Sequence, residues 1–149
     1  LSIGISGLLD FHDSHYASGT VDLVSLTTVA DEYDIKAVDF LKIDVEGWDL
    51  DVLKGFPWTK IHPQVVIAEF EDQKTGSPLG HVWSDIAEFL LAKGYSVYVS
   101  EWFPIIGYGQ RHSWRRLVKF PCHLMHRKAW GNLIGFREDP GLQRLNDLI

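Results

Sequence analysis

Apolar residues in this chain gather into short runs broken by polar, glycine-bearing stretches. VDFLKIDV (38–45) and PQVVIAEFE (63–71) are apolar almost throughout until their acidic ends, the pattern of strands covered on both faces. YSVYVSEWF (95–103) and NLIGFRE (132–138) also read as strands, as does the short VDLVSL (21–26). LSIGISGLLDF (1–11) reads as one strand or a short hairpin around Ser6-Gly7, followed by a polar loop over 12–20. Three helical patterns lie between the runs. Thr28 and Asp31 offer a capping box to a helix of two turns or fewer over TTVADEYD. A second helix covers Trp48 to Lys54 and stops at Gly55; a third is capped by Ser84 or Asp85 and runs through Lys93 to Gly94. Residues 72–80 read as a loop, 104–130 as irregular, and those after 138 as a tail.

Strands alternating with helices predict an α/β fold with a mostly parallel sheet. The last two strands have no helix between them, so they read as an antiparallel hairpin carrying 104–130 as an insertion. There are no repeats, and 149 residues suit one domain spanning 1–149.

Composition changes this picture little but excludes some partners. A net charge of -6 argues against general attraction to nucleic acid. No apolar run approaches the roughly 20 residues needed to span a bilayer, which argues against a membrane partner. The single cysteine, Cys122, cannot make an internal disulfide, and a reducing, cytoplasmic setting is the default expectation. The chain opens at Leu1, already inside an apolar pattern, and reads as a piece of something longer.

The chemistry concentrates in FLKIDVEGWDLDVLKG (40–55). In an open α/β sheet, ligands gather outside the carboxyl ends of the strands. The strand over 38–45 delivers Asp44 and Glu46 there, and the one over 63–71 delivers Glu69 and Glu71. Lys42 shares the pleat side of Asp44 and needs a partner, for which Glu46 or Glu69 is the expected choice. Gly47 permits a sharp turn into the following helix. Glu46 and Asp49 also read as simple helix-end carboxylates, whereas Asp44, inside the strand, does not.

KIDVEG followed by W-D-L-x-V-L-K-G resembles the signature of the FkbM family of S-adenosylmethionine-dependent methyltransferases. The flanks are similar too: SGTVDLVSLTTVADEYDIKAVDF before the motif, PQVVIAEFE and IAEFLLAKGYSVYV after it. The late block SEWFPIIGYGQRHSWRRLVKFPCHLMHRKAWGNLIGF resembles the tail of some members. The resemblance implies a class I, Rossmann-like, doubly wound sheet whose last strand is antiparallel. It also implies S-adenosylmethionine as cofactor. The family's glycine-rich turn after its first strand has no counterpart here, so the chain reads as the C-terminal two thirds of the fold, without the N-terminal cofactor half. On that alignment Ile3, Gly4 and Asp44 face the cofactor. Such a sheet exposes a long edge, through which self-association is expected.

The same resemblance implies O-methylation of a sugar or another small molecule bearing a hydroxyl. Asp44 and Glu46 then serve as the base or hold the acceptor, with His112 as the alternative base. Substrate contacts are assigned to Glu69, His81, Tyr108, Trp114 and Arg115. Tryptophan faces stack on sugar rings and arginines grip anions, so a glycosylated or anionic acceptor suits the basic, aromatic 101–130 segment. Trp102 and Trp130, beside the strands, read as core; on the plainer reading all three tryptophans of the segment cover a core left open by the hairpin and its arginines are solvated. Asp44, Glu46, Asp72 and His81 offer ligands of the kind Mg²⁺ takes, but no spacing calls for a metal and none is assigned. The rival class is a non-catalytic binding or assembly module that kept the sheet and lost the cofactor half.

Overall fold

Ser25, not Thr28, opens the first helix: its Oγ accepts the Thr28 N–H at 3.0 Å, so α1 runs over Leu26–Glu32. Residues 22–25, expected as the end of a strand, are the approach to this cap. The computed structural model describes residues 19–20, 22–76, 79–107 and 110–148. The strand or hairpin expected over 1–11 lies outside the described residues.

The remaining elements, in chain order, are β1 (Phe40–Ile43), α2 (Asp49–Lys54), β2 (Val65–Glu71), α3 (Asp72–Thr75), α4 (Trp83–Ala92), β3 (Ser96–Trp102), β4 (Trp114–Lys119), β5 (Trp130–Phe136) and α5 (Leu142–Asn146). The strands form one mixed sheet in the order β1-β2-β5-β3-β4. Only β1 and β2 pair in parallel; β2 with β5, β5 with β3, and β3 with β4 are antiparallel. The expectation of a mostly parallel sheet is thus corrected. The cause is twofold. The last strand inserts between β2 and β3, and the segment expected to be irregular supplies a further strand, β4, on the outer side of β3. The expected antiparallel pairing of the last two sequence-read strands is present as β3 with β5, in register from Ser96↔Phe136 to Trp102↔Trp130.

Burial alternates along β2 and β5. On one face Val66, Ala68, Val97, Val99 and Leu133 meet Leu50 and Leu53 of α2 and Ile86 and Leu90 of α4 in a single buried cluster. Removing each such side chain from water stabilises the fold by about 1.5–3 kcal/mol before entropy is counted. Among the described residues the other face carries half-buried Val65, Ile67, Ile134 and Phe136. The C-terminal tail covers part of it. Tyr98 is wholly buried there, donates its hydroxyl proton to Asp139 Oδ1 at 2.5 Å, and packs edge-on against Phe136. α5, in what the sequence suggested was an unstructured tail, contacts β4.

The third sequence-read helix begins at Trp83; Asp85, one of the two expected caps, lies inside its first turn and accepts the Val82 N–H at 2.7 Å. The loop over 72–80 begins with one helical turn, α3, whose Asp72 Oδ1 accepts the Trp83 N–H at 2.7 Å. That bond ties the end of β2 to the start of α4.

Candidate functional site at the carboxyl edge

β1, β2 and β3 run the same way, so their carboxyl ends share one edge with the amino ends of β5 and β4. The register lines up Glu71, Trp130, Trp102 and Trp114 along that edge, side by side across four strands. Side chains paired across a sheet point to the same face. Glu69 with Asn132 and Ser100 forms the next row on that face.

At the β1 end the chain leaves the strand two residues earlier than expected. Asp44 follows the last strand residue, Ile43, and is exposed on the turn. Lys42 Nζ donates to Asp44 Oδ2 at 2.7 Å, so its partner is Asp44 rather than Glu46 or Glu69. The reason is local: β1 is a sheet edge, Lys42 is half-exposed, and the nearest same-side acid is two residues on. Glu46 adopts φ 55° and Gly47 φ 101°. The left-handed region suits the glycine, but for a glutamate it is strained by roughly 1–3 kcal/mol unless the surroundings hold it.

Asp49 supplies the hold. It is 1% exposed, in the first turn of α2, and its Oδ1 accepts the Glu69 N–H of β2 at 3.0 Å. The Val45 and Gly47 amides also favour its charged form, while burial, the larger effect, pushes its carboxyl above the usual range. Oδ2 is buried with no hydrogen bond of good geometry. The motif turn is therefore clamped to the neighbouring strand by an aspartate. Sequence reasoning treated Asp49 only as a helix-end charge. The available signal was a carboxylate directly after Trp48 on the inward side of an amphipathic turn.

At the other end Phe103 and His112 meet the aromatic row. Trp102 and Trp130 rings lie 5.5 Å apart, His112 meets Trp130 edge-on at 5.3 Å, and Trp130 Nε1 donates to the Phe103 carbonyl at 3.0 Å. Trp102 and Trp130, expected in the core, are half-buried edge residues instead, because they fall on the incompletely covered face. Trp114 Nε1 donates to Ser100 Oγ at 3.1 Å, and the Arg115 guanidinium sits 4.4 Å over the Phe103 ring. Phe103, Pro104, Ile106, Gln110, Arg111 and His112 line a pocket of about 280 Å³.

Beneath this hairpin Glu101 is completely buried and held on both oxygens. Oε2 takes the Arg116 Nε–H at 2.6 Å, and Oε1 takes the Met125 N–H at 2.8 Å. Arg116 also donates to the His123 carbonyl at 2.5 Å. A buried carboxylate needs such partners, and here they fasten the 121–125 loop to β3 and β4.

The structure therefore gathers Asp44, Glu46 and Glu69 at the β1–β2 end and His112, Trp114 and Arg115 at the β3–β4 end. His81 stands apart. It is 8% exposed, just before α4, with a buried and unpartnered Nε2, and its charge couples to that of Asp72, whose carboxyl is pushed up by burial. Among the described residues no group of three or more His, Cys, Asp or Glu is arranged to hold a metal ion, so the Mg²⁺ set does not assemble. Nor is any helix among them long and apolar enough to cross a membrane. Ile3, Gly4 and Tyr108 lie outside the described residues. For S-adenosylmethionine the acid-bearing edge fits the positive sulfonium and ammonium groups, whereas the residues assigned to its adenine side are those outside the description.

Comparison with known families bears on this edge directly. A family profile, the methyltransferase FkbM domain, matches residues 6–97, which include β1, the clamped turn and β2. No curated protein and no solved structure gave a significant match. Since the matched segment makes up more than half of the chain, this protein belongs to the FkbM methyltransferase domain family.

Proposed function

We propose that the protein takes part in S-adenosylmethionine-dependent O-methylation of a small acceptor at the carboxyl edge. What carries the reading is that the matched segment ends its parallel strand pair in a strained turn, Glu46 at φ 55°, braced by the buried Asp49. Strain at a non-glycine residue persists where surrounding structure over-determines it, which is common at working sites. The order β1-β2-β5-β3, with the last strand reversed between two others, supports reading the sheet as the later part of a class I methyltransferase sheet.

When bound, S-adenosylmethionine supplies an electrophilic methyl group. The residues of this chain have other work: to orient a hydroxyl and to accept its proton. Asp44 and Glu46 are the acids nearest the motif turn, and His112 faces the same edge from the hairpin. Asp44 is paired with Lys42 at the motif turn, and His112, on the hairpin, is the proton acceptor in this reading.

The test is transfer of labelled methyl from S-adenosylmethionine to a panel of hydroxyl-bearing small molecules, with cofactor binding followed separately by calorimetry. Loss of at least tenfold in turnover in His112→Gln, with cofactor binding retained, is the expected result. No transfer and no heat of cofactor binding would favour the assembly-module class instead.

A further inference from the structure

We infer that the pocket of the β3–β4 hairpin takes the acceptor, and that this acceptor is a compact anion with an apolar body rather than a neutral sugar. The inference rests on the methyltransferase reading for the word acceptor; the pocket's preference for an anion stands on its own geometry.

Charge comes first. Residues 101–130 hold six of the fourteen Lys and Arg residues and only one of the twenty acids. That acid, Glu101, is fully buried and paired with Arg116, so no carboxylate from this segment faces solvent. Arg111 and His112 line the pocket, and none of its lining residues is acidic. An acidic protein has thus placed a cation-lined pocket on the very edge where its family motif ends. A guanidinium stays charged at any ordinary pH and recognises carboxylate or phosphate oxygens with paired N–H donors. Arg115, stacked over Phe103 directly behind the wall, adds a second fixed positive charge.

Wall chemistry and size then choose the body of the ligand. Phe103, Pro104 and Ile106 form an apolar side, with Ile106 92% exposed. A residue of that kind left in water next to a pocket gains when a ligand covers it. About 280 Å³ lies at the small end of ligand sites, enough for a molecule built on one ring and too little for a nucleotide. Gln110, also in the lining, offers an amide to a polar substituent. The chemistry that satisfies all three conditions is a ring-sized hydroxy acid: one anionic group for Arg111, one apolar body for the Phe103 wall, one hydroxyl to receive the methyl group. His112, fixed edge-on against Trp130, stands between pocket and aromatic row, where such a hydroxyl would lie.

The probes are 4-hydroxybenzoate, its neutral isostere 4-hydroxybenzamide, and glucuronate as an anion with a polar body. Each is titrated into the protein at low salt without cofactor, with NMR shifts of the Trp130 indole and His112 ring as readout. Expected is binding of 4-hydroxybenzoate at least tenfold tighter than either of the others, falling about tenfold in Arg111→Gln. Arg111 is exposed on the hairpin, and circular dichroism of the variant checks that its fold is intact. Equal affinity for acid and amide, tighter binding of glucuronate, or affinity unchanged in Arg111→Gln would each overturn the inference. Methyl transfer to the bound acid is then assayed separately. Anion binding without transfer would leave the pocket assignment standing and count against the methyltransferase reading alone.

Discussion

Gly131→Ala is the sharpest test of how the carboxyl edge is built. Gly131 sits at φ 153° between Trp130 and Asn132, and a Cβ added there would lie 1.9 Å from the Ser100 carbonyl oxygen and 3.2 Å from Trp102 Cδ1. The obstacle is backbone of the neighbouring strand, so no rotamer change relieves it; β3 and β5 have to part. Overpacking costs about 1–3 kcal/mol and an unfavourable backbone region about 1–3 kcal/mol more, giving roughly 2–6 kcal/mol in all. Total stability of such a domain is about 5–15 kcal/mol, and each kilocalorie at this size moves the melting temperature by about 2–4 °C. The expected fall is therefore on the order of 5–20 °C, read by thermal and urea melts. Near-UV circular dichroism should change as well, because parting the strands disturbs the Trp102–Trp130 pair. Gly135→Ala is the internal control: on the same strand and face, its Cβ meets only the Tyr95 side chain at 3.3 Å, and the expected cost is below about 1 kcal/mol. A Gly131→Ala protein melting within about 2 °C of the parent, or no more disturbed than Gly135→Ala, would refute the strand register described above.

Two carboxylates give predictions with opposite pH dependence. Burial raises the Asp49 carboxyl, so its contribution to stability is complete below its ordinary value of 3.8 and is lost as pH rises through the folded value; Asp49→Asn should gain on the parent in urea midpoint as pH rises above about 4. Asp49→Ala leaves the Glu69 amide unanswered and should cost about 1–3 kcal/mol at any of these pH values, with loss of the Glu46 strain seen as a shifted amide resonance. Asp139 is the converse. Hydrogen bonds from Lys119 and Tyr98 hold its carboxyl well below the usual range, so it stabilises the fold above its ordinary value of 3.8 and ceases to do so as pH falls. Asp139→Asn should flatten the acid limb of the stability profile, and an unchanged limb would remove that anchor from the account of the tail.

The parts of the fold that the sequence made legible are those whose pattern repeats locally. β2, β3, β5 and α4 appear near their expected bounds because runs of apolar residues of strand or helix length leave few readings. β4 was missed for a physical reason. Its residues, WRRLVK, carry three cations in six positions, as an outer edge strand of a sheet is free to do, and so hide a period-two pattern. Strand direction was legible only in part. The helix before β3 argued for parallel neighbours, but the sheet inserted β5 between β2 and β3, a non-local choice that no window of sequence records. Of the site, the acids lay in the motif for the sequence to show, but the bracing of its turn did not, since Asp49 acts across 20 residues on the Glu69 amide. The aromatic row was invisible as a row, because it exists only once Trp102, Trp114 and Trp130 are set in register on three strands.

That row also resolves an apparent conflict in the proposals. Acids at the β1–β2 end attract a cationic donor, but the same acids would repel an anionic acceptor if their field reached it. Neighbouring strands lie about 4.8 Å apart, so the order β1-β2-β5-β3-β4 sets the exposed Asp44, at the end of β1, and the strand that follows the pocket about 19 Å apart across the sheet. At physiological salt the screening length is about 8 Å. Exposed charges at the two ends of the edge are thus largely hidden from each other, and Trp102 and Trp130 lie in the row between them. An acidic chain can then hold a cation-seeking end and an anion-seeking end on one edge, provided the pocket itself stays free of carboxylates. This arrangement predicts its own salt response: anion affinity should fall steadily with ionic strength through loss of attraction to Arg111. Affinity that instead rose with salt would mean that the β1–β2 acids dominate the pocket's field, and the division of the edge into two halves would have to be given up.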